Sequence, residues 1–225
     1  MSRPPVKALV TGATRGIGKA LLERLAQRGP VVGTGRRPPF PHISGATWAE
    51  LDVTDPAGLD RLPLVLDQAP LELVVCNAGI YSDRHESLDD GYSASLWART
   101  FATNVTGVFK TIQRVLPNLQ AASAGKIAIL SSQMGSSARS CGDSYAYRAS
   151  TAAVLNLGLN LAADLRKRGL AVGIYHPGWV STDLGDKAGE SSTADAAQGL
   201  IERFDALTLD TSGCFETWQG ERLPA

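Results

Sequence analysis

Short apolar runs alternate along this chain with stretches whose apolar residues recur at helical spacing. Val6–Thr11 (VKALVT) is an apolar run that ends at Gly12, and Gly16–Arg28 follows with Ile17, Ala20, Leu21 and Leu25 on one helical stripe. Val31–Thr34 and Ala46–Val53 read as strands, and Pro56–Gln68 as a helix that Pro63 is expected to break. Leu71–Cys76 is a strand, and Ser93–Leu116 is a long helical pattern stopped around Pro117. Lys126–Ser131 is a strand, Tyr147–Arg168 a long helix ended by Gly169, and Leu170–Tyr175 a strand. Thr193–Leu207 is a helix and Gly213–Trp218 a last short strand. Strands apolar on both faces, alternating with helices, predict a parallel sheet covered on both sides. Ligands of such sheets bind beyond the carboxyl ends of the strands, so Gly79–Tyr92, Gln133–Asp143 and Ser181–Ser192 are the loops to watch.

The length of 225 residues fits one α/β domain over 1–225. Hydrophobic residues make up 44% and charged residues 20%, enough for a sizeable core. The 22 basic and 22 acidic side chains cancel, which removes the bulk attraction that nucleic-acid and anionic-membrane binders use, so neither partner is expected. No apolar run approaches the roughly 18 to 20 residues that cross a bilayer, and Met1–Val10 does not read as a signal peptide. Cys76, Cys141 and Cys214 are odd in number and widely spaced, which argues for a reducing, cytoplasmic compartment and against a disulfide framework. His42, His85 and His176 form no ligand cluster with them, so no metal is expected.

Chemistry enters at Thr11-Gly12-Ala13-Thr14-Arg15-Gly16-Ile17-Gly18, between the first strand and the first helix. Glycines at 12, 16 and 18 permit a tight turn, close backbone approach to a pyrophosphate and close helix–strand packing, with the helix N–H groups facing the phosphates. The spacing is T-G-x-x-x-G-x-G, and further motifs follow in order. They are Asp52-Val53, Cys76-Asn77-Ala78-Gly79, Asn104, Ser131-Ser132, Tyr147-Arg148-Ala149-Ser150 and Pro177-Gly178-Trp179-Val180-Ser181-Thr182. Taken together, over essentially the whole chain, they resemble the short-chain dehydrogenase/reductase family. Tyr145–Ser150 and His176–Gly185 look most like its C-factor and sniffer-type branch.

The resemblance implies a Rossmann-like, doubly wound parallel sheet of about seven strands. It also implies a nicotinamide dinucleotide held by Gly12, Thr14, Arg15, Gly16, Ile17, Gly18, Arg36, Asp52, Val53, Asn77, Ala78, Gly79, Pro177, Gly178, Val180 and Thr182. An NAD site needs an acid at the end of the second strand, but Gly33-Thr34-Gly35-Arg36-Arg37 has glycine there. Arg15 and Arg36 suit the 2′-phosphate of NADP, whereas Arg37 reads as a solvated charge. NADP(H) is therefore expected over NAD(H).

The family pairs a serine that holds the substrate oxygen with a tyrosine that exchanges its proton. A lysine four residues later lowers the tyrosine's pKa and holds the nicotinamide ribose. Ser132 and Tyr147 match the first two, with Ser131 as the adjacent alternative, and Asn104 matches the proton-relay asparagine. The lysine position is Thr151, one helical turn from Tyr147 on the same face. The helix terminus offers about 0.3–1 kcal/mol, against roughly 4 kcal/mol for a cation at about 4 Å, so the dipole cannot replace the lysine. Thr151 is left to bond a ribose hydroxyl or to hold a relay water toward Asn104.

Two readings follow. One is an NADP(H)-dependent oxidoreductase interconverting a carbonyl and an alcohol, slower for want of the lysine. The other is a catalytically impaired NADP(H)-binding protein acting as a regulatory or signalling partner; non-redox chemistry on the tyrosine alone is a third. His176 reads as a packed strand-end histidine. The apolar faces of Tyr147–Arg168 imply, through the same resemblance, a homodimer built on that helix.

Overall fold

The computed structural model describes residues 7–89, 91–180 and 192–225. Seven parallel strands form one sheet in the order β3-β2-β1-β4-β5-β6-β7. They are β1 (Ala8–Val10), β2 (Val31–Gly35), β3 (Ala46–Glu50), β4 (Leu73–Cys76), β5 (Lys126–Leu130), β6 (Ala171–His176) and β7 (Phe215–Thr217). The helices are α1 (Gly16–Ala26), α2 (Pro56–Val65), α3 (Ala94–Phe101), α4 (Gly107–Ala121), α5 (Tyr145–Arg166) and α6 (Thr193–Ala206). A π-helical turn, Ala102–Thr106, joins α3 to α4.

The period-two pleat divides each strand between two cores. Leu9, Ile127 and Ile129 face the layer of α2, α4 and α5, where Leu62, Ile112, Val115 and Val154 are almost wholly buried. Val10 and Ala128 face α1 and α6, against Leu21, Leu22, Leu200 and Phe204. Each such side chain contributes about 1.5–3 kcal/mol through burial. The parallel sheet covered on both faces, expected from the alternation, and the doubly wound order that the resemblance implies are the observed fold. Its strand order reverses between β1 and β4, which opens a crevice at their carboxyl ends. Among the described residues, no helix is long and apolar enough to cross a membrane.

Several boundaries differ from the sequence expectation. Neither Pro63 nor Pro117 breaks its helix. Pro63 falls in the last turn of α2, and Pro117 is exposed together with Gln113, whose carbonyl it frees toward water. β3 ends at Glu50 rather than Val53, and α5 starts two residues before Tyr147.

Candidate active site

The floor of the crevice is tied together by small polar groups. The Thr11 hydroxyl accepts from the Asn77 and Ala78 amides (both 3.0 Å), and the Asn77 side chain donates to the carbonyls of Thr11 (2.8 Å) and Gly12 (3.0 Å). The Gly12 amide donates to the Thr34 hydroxyl (3.2 Å), which adds β2 to this latch. Gly12 (φ +65°) and Gly16 (φ +56°) hold left-handed backbone that other residues adopt at a cost. A Cβ at Gly12 would lie 2.9 Å from the Ala78 Cα, so the two segments meet as closely as glycine permits. Cys76, in place of the motif's first asparagine, ends β4 inside the core, and burial pushes its thiol up to about 12. Of the two, it is the Asn77 side chain that bonds across to the turn after β1.

Above this floor lies a cavity of about 850 Å³. Its walls include Gly12, Thr14, Arg15, Gly16, Ile17, Gly18, Arg36, Asp52, Val53, Asn77, Ala78 and Gly79, twelve of the residues expected from sequence. The walls fit a dinucleotide. No side chain caps the first turn of α1, whose amides the glycine turn brings to the cavity. At the far end Asp52 accepts from the Thr54 amide (2.9 Å) and hydroxyl (2.7 Å). Burial raises the Asp52 pKa, but those bonds and the Arg36 charge outweigh it and hold the carboxyl below its ordinary range. At Gly35 a Cβ would lie 2.5 Å from the Thr14 methyl and 2.7 Å from Phe40, so an acidic side chain has no room there.

Lys19, Arg99, Thr103 and Thr193 also line the cavity, and sequence reasoning missed them. Their only signal was the four-residue spacing of Arg99 and Thr103 just before Asn104. Pro177, Gly178 and Val180 follow β6 outside the cavity lining, with Val180 buried; Thr182 lies outside the described residues.

Beyond β5 the second group gathers beside the cavity. Ser132 is buried, accepts from the Met134 amide (3.2 Å) and lies near enough to the Tyr147 phenol to lower its pKa. Ser131 instead donates its hydroxyl to the Thr151 carbonyl (3.2 Å). Burial pushes the Tyr147 phenol up to about 12, and Ser132 pulls it down. Tyr81 and Asp83 push it up further, while Arg84 pulls it down. Thr151 is buried, and its hydroxyl is turned onto its own helix, at 3.1 Å from the Tyr147 carbonyl and 3.0 Å from that of Arg148.

Asn104 sits in the π-helical turn, which widens the helix where its amide reaches out. It accepts from the Ile80 amide (2.9 Å) and donates to the Ile80 carbonyl (2.9 Å) and the Ser150 hydroxyl (3.0 Å). Ile80 lines the cavity, so Asn104 links the cavity wall to α5. Burial and the Arg139 charge lower the His176 imidazole to about 4, as befits a packed, neutral histidine at the end of β6.

A doubly wound sheet with a crevice at its reversal point, and a buried serine near a half-buried tyrosine beyond β5, define the class: the fold of nicotinamide-dependent oxidoreductases. Residues 6–193 match the family model of the short chain dehydrogenases, and the chain belongs to that family. It is 35% identical to 1-hydroxy-2-glutathionyl-2-methyl-3-butene dehydrogenase of a Rhodococcus species, over 96% of this chain and 97% of that one. It is 34% identical to C-signal of Myxococcus xanthus, over 69% of this chain and 93% of that protein, which bears out the C-factor-like branch. Among solved structures it resembles NADPH-bound carbonyl reductase from chicken fatty liver, at 26% identity and a TM-score of 0.88, over 97% of this chain and 98% of that one. The carbonyl reductase Sniffer of D. melanogaster, at 22% identity and a TM-score of 0.87 over 97% and 99%, shares the fold.

Proposed function

We propose that the protein is an NADP(H)-dependent reductase of small carbonyl compounds, working as one domain and slowed by the threonine at 151. The observation that carries this reading is the neighbouring Ser132 and Tyr147, together with the cavity lined by the glycine turn. Ser132 is assigned over Ser131 to hold the substrate oxygen, because the Ser131 hydroxyl is already committed to the helix backbone. Tyr147 exchanges the proton at that oxygen, close to the serine. The nicotinamide, when bound, supplies or accepts the hydride. Asn104 fixes the wall between cavity and helix.

Arg15, Arg36 and the crowded Gly35 support NADP over NAD, since guanidinium groups complement a 2′-phosphate and no carboxylate can occupy position 35. Gly12, Thr14, Gly16, Ile17, Gly18, Asp52, Val53, Asn77, Ala78 and Gly79 complete the cradle. A reducing cytoplasm is supported by three free cysteines, and a homodimer on α5 by the partly exposed Leu157, Leu159 and Leu161.

One observation favours the second reading, an NADP(H)-binding partner without redox chemistry. Tyr147 keeps a pKa of about 12, and Thr151 spends its hydroxyl inside the helix rather than beneath the phenol. NADPH oxidation by wild type, Y147F and T151K over a panel of aldehydes, ketones and quinones decides between the two. Turnover that Y147F cuts by about 10²–10⁴-fold and T151K raises is expected. Tight NADPH binding with no turnover in wild type or T151K overturns the reductase and leaves the binding protein; substrate conversion without net NADPH consumption points to non-redox chemistry.

A further inference from the structure

Helix α5, which carries Tyr147, has no cap of its own. Its first flanking residue, Ser144, is in left-handed backbone (φ 47°) and makes no cap bond. The cap comes from the loop after β4. Asp83 is 1% exposed, and its Oδ2 accepts from the amides of Ala146 (2.8 Å) and Tyr147 (3.1 Å). Two turns of chemistry meet there, since a carboxylate both fills orphan N–H groups and complements the positive end of the helix. The same loop holds the ring. Tyr81 stacks on Tyr147 at 4.2 Å between centroids and 16° between planes, and its hydroxyl shares a 2.5 Å hydrogen bond with Ser144 Oγ. The Arg84 guanidinium lies over the Tyr81 ring at 5.1 Å. The loop is pinned at its start too, where Ile80 bonds Asn104 through both its amide and its carbonyl.

We propose that Tyr81 and Asp83 are the positioning residues of the proton-exchanging tyrosine, so that the loop after β4 holds Tyr147 in place of the missing lysine. The proposal rests on the reductase reading. A lysine at 151 would have steadied the phenol from its own helix. Here the Tyr147 amide is bonded by Asp83 and its ring is stacked on Tyr81, whereas the Thr151 hydroxyl bonds the Tyr147 carbonyl and not the phenol. Both residues act on Tyr147 from 66 and 64 positions away in the chain, and neither lines the cavity.

The test compares D83A, D83N, Y81L and Y81F with wild type in NADPH-dependent reduction of the best carbonyl of the panel. D83A and Y81L are expected to lower kcat roughly 10- to 100-fold while the NADPH dissociation constant, read by cofactor fluorescence, stays within about twofold. D83N keeps an acceptor and Y81F keeps the ring, so both recover most of the rate. In a Y147F background neither D83A nor Y81L lowers the residual rate further, because there is no proton-exchanging group left to position. A kcat unchanged in D83A and Y81L, or an equal further loss in the Y147F background, overturns the proposal. If the wild type turns over no carbonyl, the reductase reading fails separately, and hydrogen exchange still decides the clamp. The Ala146 and Tyr147 amides must exchange faster in D83A than in wild type while the rest of α5 stays protected; unchanged exchange there sinks the proposal without any turnover.

Discussion

The two halves of the cleft are built on different economies of material. On the β1–β4 side, the contacts run through backbone amides, backbone carbonyls and two small side chains, Thr11 and Asn77. On the β5–α5 side, everything converges on a single phenol, whose pKa Ser132 lowers and whose ring Tyr81 stacks against. The first half tolerates a cysteine for an asparagine at position 76 because Asn77 still ties the strands together. The second half has no such redundancy, and one threonine in place of lysine leaves the phenol high at about 12. Binding is a distributed property of this fold, and proton transfer is a concentrated one.

The contrast predicts that substitutions separate binding from chemistry. Y147F should cut carbonyl reduction by about 10²–10⁴-fold, the range of general acid–base catalysis, with NADPH affinity intact by titration. A comparable loss of affinity would break the comparison. The next effect is on stability. The folded His176 titrates near 4 against an ordinary 6.5, so between those values the unfolded chain binds more protons. Stability therefore falls as pH drops from 6.5 toward 4, by roughly 3 kcal/mol from this group. Denaturant titrations of wild type and H176Q across that window should show the acid loss shrinking in the variant.

On the binding side, R36A should weaken NADPH about 10- to 100-fold and leave NADH nearly unchanged, as expected for one charge-assisted phosphate contact. The smallest effect sharpens the chemical half. In T151K a nearby cation stabilises the tyrosinate, so the alkaline limb of the pH–rate profile should move down, by at most about three units if the ammonium comes within about 4 Å. A profile that does not move would show that the added lysine does not reach the phenol.

The sheet was legible because its strands are apolar on both faces and glycines mark the turn after β1. Of the twelve expected residues that line the cavity, those from Gly12 to Gly18 were legible in the glycine spacing, Asp52, Val53 and Asn77–Gly79 through the family resemblance, and Arg36 through the glycine that stands where an acid would be. Pro117 misled because a proline stops a helix only where the freed carbonyl lacks water, and exposure cannot be read locally. Thr151 was visible as a missing charge, yet its hydroxyl's turn onto the Tyr147 carbonyl depends on the helix itself. The loop of Tyr81 and Asp83 was expected to matter for a substrate, but nothing in the sequence marked Asp83 as a helix cap or Tyr81 as a stacking partner. A cap that arrives from 63 residues away leaves the helix start at Ser144 looking uncapped and the loop looking merely polar. Arg99 and Thr103 were hidden for the same reason, since only the packing of α3 against the crevice makes them walls.

The π-helical turn at Ala102–Thr106 bears on how this chain can change length. Such a turn holds one residue more than the regular helix around it, and a regular helix advances about 100° per residue. Deleting one residue there would make α3 and α4 a single ordinary helix, with better local hydrogen bonds. It would also swing Asn104 away from Ile80 and Ser150, or else rotate Val108, Ile112 and Val115 off the sheet. The loops of this molecule can gain or lose residues at little cost, but this one helical turn behaves like a reading frame, and its count is held from both sides.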